Sequence, residues 1–141
     1  MSSARPRHKN KTFATLLALL LGGTGAHRFY LRGMRDKWAL LHLVSVPATA
    51  LLMMQAPSAD IFFQLLPLTV SYLAGFLEAM VIGLMSDEKF DERFNAASGG
   101  RSNSRWPLAI LLVVTMLVGT TTLIATISRL FDLLYTGGAY G

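Results

Sequence analysis

The chain has 141 residues, of which 52% are hydrophobic and 15% are charged, so its composition indicates an integral membrane protein and excludes a soluble domain with one small core. It contains no cysteine, which excludes disulfides, zinc–thiolate sites and thiol nucleophiles. Its net charge of +5 comes from short basic clusters beside apolar segments, a pattern that favours membrane orientation and anionic lipid contacts over nucleic-acid binding.

A basic tail, residues 1–11, precedes the first apolar segment, 12–31. The continuous apolar part of this segment ends at Gly25 and reaches about 21 Å as a helix, short of the roughly 30 Å of a bilayer core. It therefore either spans with help from residues 26–31 or dips into the membrane and returns. A signal peptide cleaved after Ala26 also fits the pattern, but cleavage would leave a strongly basic outer N-terminus, so we retain the segment.

Three further apolar segments, 38–54, 61–85 and 106–128, predict transmembrane helices. Together with the first segment they predict an all-α membrane protein, a bundle of three to four short transmembrane or re-entrant helices. Ser86 to Asn95 is predicted to extend the third segment, with Phe90 and Phe94 either docking on the membrane or a partner or packing locally. A Gly/Ser linker, 96–105, and a short tail, 129–141, complete the chain.

Lysine and arginine are distributed unevenly among the connections. Four lie in the N-terminal tail, four in residues 28–37, four in residues 86–105 and one after the last apolar segment. A re-entrant first segment would place twelve of these on one side of the membrane and one on the other, whereas four spans with the N-terminus outside would give eight and five. The positive-inside rule favours the re-entrant arrangement, and both place 28–37 and 86–105 in the cytoplasm.

Small side chains recur every four residues in two of the apolar segments. Such rows let helix backbones approach closely in lipid, although alanine and glycine are also common in membrane helices generally. The two rows predict helix packing without identifying its partner. Their members are Ala14, Ala18, Gly22 and Ala26 in the first segment and Gly75, Ala79 and Gly83 in the third.

Ionisable residues inside apolar segments are few: His27, Arg28, His42 and Glu78. Helical rise places Glu78 about 10 Å and His42 about 7 Å from the same membrane border, which His27 and Arg28 also approach. We therefore predict a polar layer beneath the cytoplasmic headgroups. It is either a structural network that neutralises Glu78, with Arg28 and Glu78 as a pair, or a path for protons or a divalent metal.

The stretch GGTGAHRFYL resembles the opening of the TM-two domain, a family of small proteins with two transmembrane helices. The family signature runs Gly-x-x-Gly-x-His-Arg-Phe-Tyr-Leu-Gly after a lysine and an apolar helix. Arg32 stands where the signature has its last glycine. The matching residues, which we call the motif turn, are Gly22, Gly25, His27, Arg28, Phe29, Tyr30 and Leu31.

The resemblance extends over residues 11–95, because Glu78 through Met85 to Asn95 is similar to the end of the family's second helix. The intervening stretch from Trp38 is much longer than the family's connection and predicts an additional span. The resemblance implies little about function, since bacterial members are mostly uncharacterised. Animal members are likened to receptors through an Asp-Arg-Phe motif, in which His27 here replaces the aspartate.

No catalytic motif occurs in the chain, so we predict no enzyme, no catalytic residues, no cofactor and no resident metal. The predicted function is an interaction, accessory or scaffold module of the bacterial inner membrane, and the alternative is a small transporter or channel subunit. Predicted partners are the bilayer with its anionic lipids and either a second copy or another membrane protein, because short helices bury little by themselves.

Overall fold

The computed structural model describes residues 6–140. These residues form six α-helices and one 3₁₀ turn, with no strand among them: α1 Lys11–Leu21, the 3₁₀ turn Gly22–Thr24, α2 Ala26–Arg32, α3 Lys37–Gln55, α4 Ile61–Leu84, α5 Asp87–Phe94 and α6 Trp106–Thr136. By length and composition, α3, α4 and α6 can cross a membrane. The predicted all-α bundle is thus confirmed.

Short polar residues begin four of these helices. Asn10 accepts a hydrogen bond from the Phe13 amide at 3.0 Å and starts α1. Asp36 and Asp60 cap α3 and α4 in the same way, and Ser86 caps α5. Because a cap satisfies one of the amide groups that the first helical turn leaves open, these residues set where each helix starts.

Helices α1 and α2 form a helical hairpin. At about 16 Å, α1 is too short to span, and the 3₁₀ turn reverses the chain into α2. Lys9 Nζ donates to the Leu31 carbonyl, and the Asn10 amide donates to Tyr30 Oη at 2.8 Å. The unit therefore starts and finishes at one end of the bundle. We call this end, which also holds residues 33–36 and 85–105, the basic end.

The two rows of small residues pack α1 antiparallel against α4. A Cβ atom on Gly22 would lie 2.9 Å from the Cα of Gly75, so the two backbones touch at this crossing. Gly83 lies instead against Leu112 of α6. Such backbone contact is the packing that small residues allow in lipid. Three other members of the rows are fully buried: Ala14, Ala18 and Ala79.

The spanning helices turn polar side chains inward and apolar ones outward. On α3 the buried face consists of Ala39, His42, Ser45 and Thr49. On α4 it includes Gln64 and Ser71 as well as the small residues. Leucine and valine on the other faces are largely exposed in the described chain. This arrangement is favourable in lipid, because apolar side chains gain no free energy by moving from lipid into the protein interior. Polar side chains form hydrogen bonds between helices instead.

Helix α6 is longer than the sequence predicts. The prediction of a tail over 129–141 is wrong for residues 129–136, which continue the helix to Thr136. Arg129 makes this extension favourable, because it pairs with Asp132 one turn later at 2.6 Å and with Asp60 at 3.0 Å. The helix ends at Gly137, whose φ of 67° suits a residue without a side chain.

Helix α5 is a separate element, so the prediction that it extends the third segment is wrong. Met85 has an extended backbone (φ −62°, ψ 141°), which breaks the helix before Ser86 begins a new one. Phe90 is fully buried and packs with Leu31 and Ile82. Of the two roles left open for its phenylalanines, local packing is the one seen for Phe90.

Candidate functional site

The four predicted ionisable residues lie together at the basic end, and we call His27, Arg28, His42 and Glu78 the polar cluster. Arg28 Nε donates to both carboxylate oxygens of Glu78, at 2.8 and 2.7 Å, and its Nη2 donates to Oε1 at 2.5 Å. His27 Nε2 donates to Oε2, and His42 Nε2 lies 3.5 Å from Oε1. One carboxylate on α4 therefore connects α2 and α3.

The polar cluster is largely shielded from its surroundings. His27 is fully buried, and the side chains of Arg28 and Glu78 are 19% and 23% exposed. Burying a carboxylate or a guanidinium to this extent raises the free energy of the folded state unless the charge is paired. Each charge of the pair thus stabilises the other, and loss of either would leave its partner in an unfavourable place.

Asp36, which is not among the residues predicted from the sequence, extends the cluster. Its Oδ2 accepts from Arg28 Nη1 at 3.3 Å and from the Ala39 amide at 3.1 Å. One carboxylate therefore caps α3 and holds the arginine. The signal in the sequence was its place directly before an apolar helix, which is typical of an N-cap.

Two serines on the buried faces of α3 and α4 were also missed. Ser71 Oγ donates to the Gly23 carbonyl at 2.8 Å and lies 2.7 Å from His42 Nδ1. Ser45 Oγ donates to the His42 carbonyl at 2.7 Å and has the Gly23 carbonyl as a second acceptor at 3.2 Å. These bonds satisfy a carbonyl that the break after α1 leaves open. Ser71 precedes Glu78 by seven residues, so it lies on the same face of α4, and this spacing could have revealed it.

The protonation pattern follows from these partners. Where the Ser71 hydroxyl gives its proton to the Gly23 carbonyl, His42 Nδ1 donates to Ser71; where Ser45 serves that carbonyl, Ser71 can donate to His42 Nδ1 instead. His27 gives its Nε2 proton to Glu78, while its Nδ1 is buried without a hydrogen-bond partner among the described residues. A neutral His27 therefore carries an unused lone pair inside the protein.

The motif turn is built around Gly25, whose φ is 75°. A Cβ atom there would lie 2.7 Å from the Ala39 carbonyl oxygen and 3.0 Å from His42 Cβ, so a side chain would push α3 away. Tyr30 and Leu31 serve packing: Tyr30 contacts the Phe13 ring edge-on at 5.2 Å, and Leu31 is buried. Phe29 is half-buried.

A second polar contact, which we call the clasp, joins residues 8–11 to residues 85–104. Asn95 accepts from the Lys9 amide at 2.7 Å and donates to the Lys9 carbonyl at 3.0 Å. The Lys11 ammonium, only 5% exposed, donates to the Met85 carbonyl and to Asp87 at 3.0 Å. The clasp thus fastens the start of α1 to α5, and the predicted linker forms part of a structured surface.

Two aspartates of α5 hold the linker in place. Burial alone would raise the pKa of Asp87, but bonds from the hydroxyl and amide of Ser104, with the Lys11 ammonium, lower it to about 2. Burial also raises the pKa of Asp91, but the net pKa is lowered because the carboxylate accepts hydrogen bonds from the hydroxyl and the amide of Ser102, both at 2.6 Å. Both carboxylates are therefore charged across the neutral range.

Comparison with known proteins finds one family. Residues 7–53 match the family model of the TM2 domain, which confirms the resemblance seen in the motif turn. The matched stretch comprises α1, the 3₁₀ turn, α2 and most of α3. The resemblance proposed for Glu78 to Asn95 lies outside it and stays a prediction. No curated protein and no solved structure matches the chain.

Proposed function

We propose that this small membrane protein, with its TM2 domain, is an interaction or scaffold module of the bacterial inner membrane rather than an enzyme. In this proposal the basic end is the part that is recognised, by a second copy or by another membrane protein. The polar cluster and the clasp hold that end in one shape, so that a partner meets a preformed surface.

The observation that carries this proposal is the closed bonding of Glu78. Its carboxylate is bonded by Arg28 and His27, with His42 Nε2 3.5 Å away, and Arg28 is held in turn by Asp36. Such a network suits a structural role, because each charge is neutralised by a fixed partner. A carrier of ions needs at least one group that can exchange its partner during each cycle.

The distribution of charge supports a cytoplasmic location for the basic end. Lysines and arginines of residues 7–11, of residues 28–37 and of residues 86–105 all belong to this end, whereas Arg129 lies with Asp60 at the other. The positive-inside rule then orients the basic end toward the cytoplasm.

One observation favours the alternative, a proton-conducting subunit. The unused Nδ1 of His27 could accept a proton beside a carboxylate, as proton relays within membranes require. A divalent metal has less support, because residues 6–140 contain no group of three or more histidine, aspartate or glutamate residues placed to hold one.

Proton flux into proteoliposomes separates the two functions. We expect vesicles with the wild-type protein to acidify no faster than empty ones under an imposed pH gradient, and Glu78→Gln to behave the same way. Glu92→Gln, at an exposed position of α5, is the matched control. A wild-type flux that Glu78→Gln abolishes and Glu92→Gln retains would establish the transport function instead.

Site-specific photo-cross-linking in membranes tests the interaction itself. A photoreactive residue in place of the exposed Asn103, at the basic end, should give a discrete adduct, either with a second copy or with another membrane protein. The same residue at the exposed Ser58, in the turn at the other end, is the control. Absence of an adduct at both positions, or an adduct at Ser58 only, contradicts recognition through the basic end.

A further inference from the structure

A cavity of about 230 Å³ lies between α2, α4 and α5 at the basic end. Leu31, Ile82 and Met85 give it apolar walls, while Arg32 and Arg93 belong to its lining from α2 and α5. It is smaller than the roughly 300–1,000 Å³ of pockets for drug-sized ligands. A small anionic group with an apolar attachment matches this combination of volume and lining.

The two arginines are available to a ligand. Their guanidinium carbons lie 5.9 and 5.7 Å from the centre of the Phe94 ring, so this one aromatic side chain holds both near the cavity. Both are exposed, and neither forms an ion pair with any residue in 6–140. Arg28, which also lines the cavity, is by contrast occupied by Glu78 and Asp36.

The cavity is continuous with the lipid-facing surface of α4. Val81 lines it and is nevertheless 62% exposed, so the cavity is open along this side chain. Leu77 and Leu84, 70% and 68% exposed, lie on the same face of the helix, one turn away on either side. An apolar stripe therefore runs from the cavity toward the middle of α4.

We infer that this cavity binds the headgroup of an anionic phospholipid. The phosphate lies against Arg32 and Arg93, which can each donate two parallel hydrogen bonds to it, and one acyl chain follows the stripe of Leu77, Val81 and Leu84. Lys89, in an adjoining depression with Arg93, adds positive charge, and Glu92 is the carboxylate on that side. Basic pockets at the membrane border are suited to such headgroups.

The experiment measures bound lipid by native mass spectrometry of the detergent-solubilised protein, titrated with phosphatidylglycerol and, separately, with phosphatidylcholine. We expect phosphatidylglycerol to be retained in preference to phosphatidylcholine. The variant Arg32→Gln with Arg93→Gln should bind phosphatidylglycerol roughly tenfold more weakly for each arginine lost, because charge-assisted hydrogen bonds belong to the strong class. Arg32→Lys with Arg93→Lys should restore part of the binding.

The matched control is Arg35→Gln with Arg105→Gln, which removes the same charge from exposed positions outside the cavity. Equal losses in the two glutamine variants would show a general charge effect and overturn the site. Binding unchanged in both would overturn it as well. Circular dichroism checks that each variant keeps its helices, and the lysine variant separates loss of the site from loss of the fold.

A competition arm identifies the source of the phosphate. Soluble glycerol 3-phosphate should displace phosphatidylglycerol only weakly, since it lacks the acyl chain that occupies the stripe. Displacement at equal concentration would mean that a soluble phosphate is the occupant and would overturn the lipid assignment. A bulky substitution in the stripe, Val81→Trp, should weaken lipid binding without affecting glycerol 3-phosphate.

Discussion

At the scale of single residues, the protein buries charged side chains that would be destabilising alone and are stabilised by pairing. The Glu78 carboxylate accepts from Arg28 and His27, with His42 Nε2 3.5 Å away, and Arg28 divides its guanidinium between Glu78 and Asp36. Because both are mostly buried, the energy lies in the pairing and not in either residue alone. This coupling can be measured directly.

A double-mutant cycle with Arg28→Ala and Glu78→Ala measures it. Each single variant should lower the free energy of unfolding by about 2–4 kcal/mol, because it leaves its partner's charge unpaired. The double variant should lose less than the sum, with a coupling of about 1–3 kcal/mol. Denaturation in mixed micelles supplies the values. Arg28→Ala combined with Glu92→Ala is the control cycle, and strict additivity in the first cycle would show that the pair does not act as a unit.

At the scale of helices, two kinds of contact hold the bundle: backbone approach at small residues and polar side chains on inward faces. The first brings α1 onto α4 at Gly22 and Gly75. The second fastens the break after α1 through serine hydroxyls on α3 and α4. Neither depends on a large apolar core, in agreement with how helices associate in lipid.

The crossing of α1 and α4 should be intolerant of one added methyl group. Gly22→Ala places a Cβ atom 2.9 Å from the Gly75 Cα, and a backbone atom of a packed helix cannot move aside as a flexible side chain would. We expect a loss of about 1–3 kcal/mol, typical of overpacking. Thermal unfolding followed by circular dichroism is the measurement. As a control, Ala125→Val at an exposed site of α6 should change the free energy of unfolding by less than about 0.5 kcal/mol. If Gly22→Ala were as stable as the wild type, the close backbone contact would be refuted.

The clasp between α1 and α5 should weaken in acid. Asp87 has a folded-state pKa of about 2 against an ordinary value of 3.8, so its contribution is complete above pH 3.8 and is lost as the pH falls toward about 2. The stability difference between wild type and Asp87→Asn should therefore be largest near neutral pH and shrink through this window. Thermal unfolding at a series of pH values tests this, and a difference independent of pH would contradict the role assigned to the Lys11–Asp87 pair.

At the scale of the whole molecule, the architecture has two unlike ends. The basic end combines the polar cluster, the clasp and the lipid cavity, whereas the other end has the short connection from α3 to α4, joined to α6 by Arg129 and Asp60. Because Lys9 and Asn10 are bonded to α2 and to Asn95, we expect the N-terminal residues to lie on the same side of the membrane as the linker before α6.

Single-cysteine labelling can check this arrangement, because the chain has no cysteine of its own. A membrane-impermeant maleimide should reach Arg7→Cys and Asn103→Cys from one side and Ser58→Cys from the other, since all three positions are exposed. In intact cells only Ser58→Cys should react. Labelling of Arg7→Cys and Ser58→Cys from the same side would mean that the first segment spans the membrane.

Much of this organisation is determined by sequence alone, because the physics behind it is local. Apolar length marks the spanning helices, and the scarcity of ionisable residues in apolar segments singles out the polar cluster. The similarity of residues 7–53 to the TM2 domain is visible in the sequence for the same reason, since the glycines and aromatic residues of the motif turn are close together in the chain.

Only the tertiary structure decided which of the remaining residues meet. Lys11 and Asp87, or Lys9 and Asn95, are far apart in sequence, and neither side chain carries a pattern that predicts its partner. At the two helix ends that differ from the prediction, Lys11 donates to the Met85 carbonyl and Arg129 pairs with Asp60, which are again contacts between residues far apart in sequence. Local sequence specifies helices through capping and apolar length, whereas the pairing of polar groups between helices depends on their packing, which brings distant residues within hydrogen-bond reach.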